Sequence, residues 1–211
     1  AITITQNKDT RTLTVSDNGV GMTQEELDNN LGVIAKSGSL QFKKENEQKE
    51  EIDIIGQFGV GFYSAFMVAD KVTIDTKSYK ADEKAVHWES EGGDEFSMGE
   101  GERELFGTTI TLYLNEDSTE FSNEYRAREV IEKYCAFMPT PIFLTNAAEG
   151  PQYETIEKDE LTDKDTIVET IVEEAKTEEK ENENGEKEIV EVSPATEKYK
   201  ILKRPVALND T

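Results

Sequence analysis

In several segments between Ile2 and Leu114 apolar and polar residues alternate, and a period of two predicts β-strands. Ile2-Thr3-Ile4-Thr5 and Thr12-Leu13-Thr14-Val15 flank the turn residues Asn7-Lys8-Asp9-Thr10, which predicts a hairpin with its Ile/Leu/Val face inward. The same alternation marks Lys71 to Lys77, Ala85 to Glu89 and Gly107 to Leu114, and turn clusters at Asp82-Glu83 and Gly92-Gly93-Asp94 predict antiparallel pairing. Helical spacing takes over in three places. Thr23 and Glu26 have the capping-box spacing, and a helix follows through Leu27, Asn30, Leu31 and Ile34 to about Gly38. A short apolar helix is expected from Phe62 to Val68. A longer one spans about Asn123 to Met138, with Val130, Ile131, Tyr134, Phe137 and Met138 on one face and Cys135 beside it as core filler. Pro139 and Pro141 stop that helix, and Pro141 to Leu144 predicts one more strand.

Charge changes the picture for the last part of the chain. The formal net charge is −23, and Glu154 to Lys198 holds 17 acidic against 6 basic residues with no Phe, Trp or Tyr. Such a segment is poor material for a core. The expected division is therefore a domain over 1–150 and an acidic linker over 151–211. Within the linker, Ile167, Val168, Ile171, Val172 and Ala175 predict a helix over 163–181, and a strand is expected over 199–204. Glu181 to Gly185 is a breaker, and Ile189 to Val192 is strand-like, suited to docking on a sheet edge. The acidic balance argues against a nucleic-acid partner. The single cysteine, Cys135, allows no intrachain disulfide and fits a reducing compartment. With no run of about 18 apolar residues and no signal pattern, the expectation is a cytoplasmic protein with no membrane partner. The chain opens directly in a strand, which leads us to expect an upstream piece. His87, the only histidine, lacks ligand-like company and reads as a strand-surface residue.

Two glycine-bearing stretches carry the candidate chemistry. Asp17-Asn18-Gly19-Val20-Gly21-Met22 sits between a strand and a helix start. Its glycines let backbone approach a flat ligand, and an ionised Asp17 can accept from an amino group. The plainer reading is a tight Asn/Gly turn. Gly56-Gln57-Phe58-Gly59-Val60-Gly61 precedes the apolar stretch from Phe62 and offers free N–H groups to an anion such as phosphate; alternatively it is a turn that permits close helix packing. Ser39 to Glu51, charged and polar, is either a lid over a pocket or a solvated loop. A dinucleotide-binding βαβ unit, with Ile52 to Ile55 as first strand and Asp75 on the ribose, competes with a single pocket lined by both stretches. The third glycine of that fingerprint would fall at Ser64, and the strands that follow are antiparallel in character.

Asp17 to Thr23, Asn29 to Gly38 and Ile55 to Ala65 resemble the amino-terminal ATP-binding domain of the heat-shock protein 90 chaperones, of the bacterial type, over roughly Ile2 to Leu144. Gyrases, sensor histidine kinases and MutL proteins share the shorter Asp-x-Gly-x-Gly pattern. The resemblance implies an α+β fold, a two-layer sandwich of the Bergerat type, with a mostly antiparallel sheet and helices on one face. It implies ATP or ADP as ligand. Asp17 would accept from the adenine amino group, Gly21 and Met22 would lie against the base, and Thr108 would support it by hydrogen bonding. Asn30, Lys36, Ser37 and Gly38 would lie near ribose and phosphates. Gly56, Gln57, Phe58, Gly59, Val60, Gly61 and Phe62 would hold the terminal phosphate, with Phe62 and Trp88 as apolar wall. In the family an upstream helix carries the water-activating glutamate and the Mg²⁺-binding asparagine. No position from Ala1 onward matches either, so the expectation is weak binding and little hydrolysis, with the chain ending before the middle domain. Unfolded client proteins and a homodimer are the partners the resemblance implies. A non-enzymatic protein-interaction module is the alternative from another class.

Overall fold

A computed structural model of the chain describes residues 1–31, 61–92, 95–181 and 187–209. The alternating segments pair into one seven-stranded sheet. Its strands are β1 (Ile2–Asn7), β2 (Thr12–Asp17), β3 (Ala69–Lys77), β4 (Val86–Ser90), β5 (Ser97–Glu100), β6 (Gly107–Leu114) and β7 (Ile142–Asn146). The order is β5-β4-β3-β6-β2-β1-β7. Every neighbouring pair is antiparallel except β1 and β7, which run parallel. Asn7 closes the first hairpin by accepting from the N–H groups of Asp9 and Thr10 at 3.0 and 3.2 Å, an Asx turn.

Register explains the pattern. Ile4, Val15, Ile110, Ile74, Trp88 and Met98 stand opposite one another in a row across six strands. One residue along, the row reads Thr5, Thr14, Thr111, Thr73 and Glu89. A slip of one residue would turn the threonine row towards the helix-covered face and the aliphatic row away from it, so the pairing is strongly specified. The threonine face is tied across strands by hydroxyl pairs, Ser16 with Thr109 at 2.8 Å and Thr5 with Thr145 at 2.9 Å.

The apolar face is covered by α1 (Gln24–Leu31) and by a 3₁₀ helix, Gly61–Met67. Leu27, Ala69, Val72, Ile74, Val86 and Trp88 form the core, with Met22, Leu31, Phe62, Ala65 and Phe66 packed against it. Full burial of Leu27 contributes about 1.5–3 kcal/mol. The result is the expected α+β arrangement with helices on one sheet face. The stretch from Phe62, expected as a helix, is 3₁₀. Ser64 Oγ donates to the Gly61 carbonyl at 2.6 Å and so competes for the first turn of an α-helical ladder.

The second helix, α2, is Glu124–Cys135. Asn123 caps it, its side chain accepting from the N–H groups of Tyr125 and Arg126 at 3.0 and 3.4 Å. Asn123→Ala is expected to cost about 1 kcal/mol, read as a lower urea midpoint with unchanged slope. The expected apolar face needs correction. Ala127 and Ile131 are buried and Cys135, one turn on, is half-buried, whereas Tyr134 and Phe137 are 70% and 93% exposed. Tyr134 is a residue off that stripe, and the helix ends before Phe137.

Residues Glu149–Val206 form a separate compact unit, while Leu208 and Asn209 belong to the first. Asn209 accepts from the Ile142 N–H at 2.8 Å and donates to the carbonyls of Met138 and Thr140, a tether the sequence reading missed. In the second unit β8 (Tyr153–Glu157), β12 (Thr196–Leu202) and β9 (Ile167–Glu173) form a three-stranded sheet in that order, and β10 (Lys176–Glu181) pairs with β11 (Lys187–Ser193). The helix expected over 163–181 is therefore two strands. Ile167, Val168, Ile171 and Val172 are all β-branched, and β12 supplies backbone partners that an isolated helix would lack.

Arg204 holds this unit's connection before β9, gripping Asp165 through Nε and Nη2 at 2.8 and 2.7 Å and the Glu160 carbonyl at 2.7 Å. The Arg204 bond, followed by the Thr162 N–H, holds the Asp165 carboxyl far below the usual aspartate range. A carboxyl depressed in the folded state stabilises above its unfolded pKa, about 3.9, and loses that contribution as pH falls below it. The stability difference between the wild type and Asp165→Asn should therefore shrink as urea titrations move to pH 3 and lower. A constant difference would remove Asp165 ionisation as its source.

Candidate functional site

The loop after β2 is stitched to the ends of β3 and β6. Asp17 is the last residue of β2 and pairs with Thr108 on β6, while Thr76 on β3 pairs with Thr108 from the other side. Thr76 is fully buried and Thr108 nearly so. Their hydroxyls lie 2.9 Å apart, and Thr76 Oγ1 also accepts from the Met22 N–H at 3.0 Å and reaches the Gly107 carbonyl at 3.2 Å. Buried hydroxyls of this kind need such partners, and here they fix the loop. Tyr79 N–H donates to the Val20 carbonyl at 2.8 Å, adding a second stitch.

Two glycines make the close approach possible. Gly21 has φ +63°, and a Cβ there would lie 1.8 Å from the Lys77 carbonyl oxygen. Gly107 has φ +124°, and its Cβ would lie 2.3 Å from the Asp17 carbonyl oxygen. In this fold Gly21 thus serves contact between loop and strand.

Asp17 Oδ1 accepts from the Gly19 N–H at 2.8 Å. Among the described residues, no hydrogen bond reaches its second oxygen. The half-buried carboxylate is thus anchored at one oxygen and open at the other, beside the Thr108 hydroxyl's strand position. Arg103 approaches the same strand end: its Nη2 donates to the Asp17 carbonyl at 3.0 Å, its Nε to the Leu105 carbonyl at 2.9 Å, and its Nη1 to Thr109 Oγ1.

The loop leads into α1 through a reciprocal cap. Thr23 N–H donates to Glu26 Oε2 at 2.8 Å and Glu26 N–H to Thr23 Oγ1 at 3.2 Å. Burial alone would raise the Glu26 carboxyl, but Lys80 at 2.6 Å and the Thr23 N–H together hold it below its ordinary value. Asn30, one helix face further on, places Nδ2 3.7 Å from the Met22 sulfur. The Tyr63 hydroxyl donates to the Leu31 carbonyl at 2.9 Å, joining the end of α1 to the 3₁₀ helix. Phe62 meets Trp88 edge-on at 5.7 Å.

The structure thus brings together Asp17, Gly21, Met22 and Thr108, with Asn30 against Met22. Gly61 and Phe62 begin the 3₁₀ helix. Lys36, Ser37, Gly38, Gly56, Gln57, Phe58, Gly59, Val60 and the stretch Ser39 to Glu51 lie outside the described residues. Thr76 and Arg103 were not anticipated. Thr76 had a signal, as the residue that puts a hydroxyl where the β3 alternation calls for an aliphatic side chain; Arg103 had none beyond being basic among glutamates. The dinucleotide reading does not survive. Asp75 is bound to His87 Nδ1 at 2.7 Å, and β3 is antiparallel to both neighbours where a βαβ unit needs parallel strands. Among the described residues no helix is long and apolar enough to cross a membrane.

Residues 1–95 match the family described as histidine kinase-, DNA gyrase B-, and HSP90-like ATPase. The chaperone protein HtpG of Clostridium perfringens is 57% identical over 148 residues, covering 68% of this chain and 24% of that protein. HtpG of Oceanobacillus iheyensis is 56% identical over 146 residues, covering 67% and 23%. HtpG of Bacillus velezensis is 48% identical over 156 residues, covering 72% and 25%. The chain belongs to the heat-shock protein 90 family. It spans about a quarter of the length of these curated relatives. The matched residues 1–95 include the loop, α1 and strands β1 to β4, so the stitched Asp17–Met22 loop lies inside the ATPase-like region.

Proposed function

We propose that this chain binds an adenine nucleotide at the Asp17–Met22 loop, as the nucleotide-binding part of a chaperone. The observation that carries the reading is the Asp17 carboxylate, anchored through one oxygen to Gly19 N–H and open at the other, next to a buried pair of threonine hydroxyls. An adenine edge offers an amino donor and a ring-nitrogen acceptor side by side. Asp17 would take the first, and the Thr108 hydroxyl, which can donate or accept, would take the second. Phe62 and Trp88 supply an apolar wall, and the stretch from Gly56 to Gly61 the N–H groups for phosphate. Bound ATP supplies the reactive phosphoanhydride; the residues named here bind and orient it.

Phosphoryl transfer depends mainly on positioning and charge stabilisation, and the residues named here would contribute the positioning of the base. Among the described residues no group of three or more His, Cys, Asp or Glu side chains is arranged to hold a metal ion. In the whole protein, we take nucleotide binding to drive clamp closure of a homodimer around unfolded clients, in the cytoplasm. Isothermal titration of the 211-residue chain with ADP, and with NADH as competitor, tests the reading. Saturable ADP heat unaffected by NADH is expected; no heat with ADP at millimolar concentration would overturn it.

A further inference from the structure

Arg103 has no part in the binding chemistry above, yet it makes the most demanding polar arrangement at the site. It stands in the acidic run Glu100 to Glu104, and among the described residues it forms no ion pair with any carboxylate. Its three kinds of nitrogen go instead to neutral oxygens: Leu105 carbonyl, Thr109 hydroxyl and Asp17 carbonyl. A planar guanidinium that bridges two chain segments in this way is held in one orientation, and holds them in return.

The Asp17 carbonyl is the consequential acceptor. It sits at the end of β2, where ladder pairing stops and the loop begins, and it is packed against Gly107 so closely that a Cβ there would lie 2.3 Å away. Fixing that carbonyl fixes the peptide plane between Asp17 and Asn18. The Asp17 side chain is bonded to Gly19 N–H, so carboxylate, Asn18 and Gly19 form one short Asx turn. This turn can reorient as a unit only by rotating the peptide that Arg103 grips. Thr109 lies on the sheet face opposite Thr108, so Arg103 works from behind the strand end and leaves the binding side clear.

We propose that Arg103 is a positioning residue that aims the open Asp17 oxygen, and that through Asp17 it sets the preference for a purine bearing a 6-amino group over one bearing a 6-oxo group. The inference rests on the adenine-nucleotide reading. Its test compares ADP with inosine diphosphate, which presents a carbonyl to the carboxylate, on the full 211-residue chain. The wild type should prefer ADP by tenfold or more, on the order of one charged hydrogen bond. Arg103→Met should weaken ADP on the order of tenfold, leave inosine diphosphate unchanged, and bring the ratio towards one. Arg103→Lys keeps the charge but loses the fork, and should behave like Arg103→Met.

Parallel losses for both nucleotides would indicate a merely structural role and overturn the proposal, as would a wild-type ratio in either variant. The inosine diphosphate affinity also serves as the folding control, since a collapsed site would lose both ligands. If the wild type itself fails to distinguish the two nucleotides, the assignment of Asp17 falls, and the proposal with it. That outcome is separable from one in which only the variants disagree.

Discussion

Asp17→Asn is expected to abolish measurable ADP binding in isothermal titration while leaving the fold intact. The amide can keep the bond that Oδ1 now accepts from Gly19 N–H, so the Asx turn survives. What changes is the open position, where an NH₂ group replaces a carboxylate oxygen. A donor then faces the donor of the adenine amino group. The lost bond to a charged acceptor is worth about 1.5–3 kcal/mol, and the opposed donors are left unsatisfied at comparable cost. Together these amount to a loss on the order of a hundredfold or more, enough to take ADP out of the measurable range. Unchanged ADP affinity in a folded Asp17→Asn protein would remove Asp17 from base recognition.

Gly21→Ala should have the largest effect on stability of any single-methyl change in the first unit. Two costs add. At φ +63° an alanine pays about 1–2 kcal/mol for left-handed backbone. The larger problem is that its Cβ would lie 1.8 Å from the Lys77 carbonyl oxygen and 2.5 Å from the Lys77 carbonyl carbon, and both atoms belong to main chain that cannot rotate away. The loop must lift from β3, which breaks the bond from Met22 N–H to Thr76 and leaves a fully buried hydroxyl short of a partner. We expect a loss of more than about 3 kcal/mol in urea denaturation, with ADP binding lost even in the folded fraction. Gly61→Ala is the internal comparison: a Cβ there meets nothing within 4 Å, and stability should hardly move. Equal stability of Gly21→Ala and Gly61→Ala would show that the loop does not sit against β3 as described.

Much of the first unit was legible in the chain because local and tertiary demands agree there. Alternation placed β1, β2, β3, β4 and β6 but not the short β5, and the Thr23/Glu26 spacing placed the start of α1 with its reciprocal cap. Where they disagree, the reading failed. Ile167 to Val172 has helical spacing and β-branched chemistry at once, and only the presence of β12 alongside decides for strand. Tyr134 and Phe137 look like a core stripe by hydropathy, yet the stripe that α2 buries passes through Ala127 and Ile131. Asn209 returns to cap the backbone beside β7, a pairing between positions 67 residues apart that no local pattern announces.

The same division runs through the candidate site. From residue order alone came the family, most of the sheet-forming strands, and Asp17 with its glycines as the candidate recognition element, because those depend on side-chain chemistry and spacing within a few positions. What the tertiary structure decided is how that element is held. Register alone brings Asp17, Thr108 and Thr76 abreast on three strands; close packing makes Gly21 and Gly107 obligatory; and the arginine that grips the Asp17 carbonyl comes from 86 residues further along the chain. These relations join segments distant in sequence, and they exist only once the sheet has closed around them.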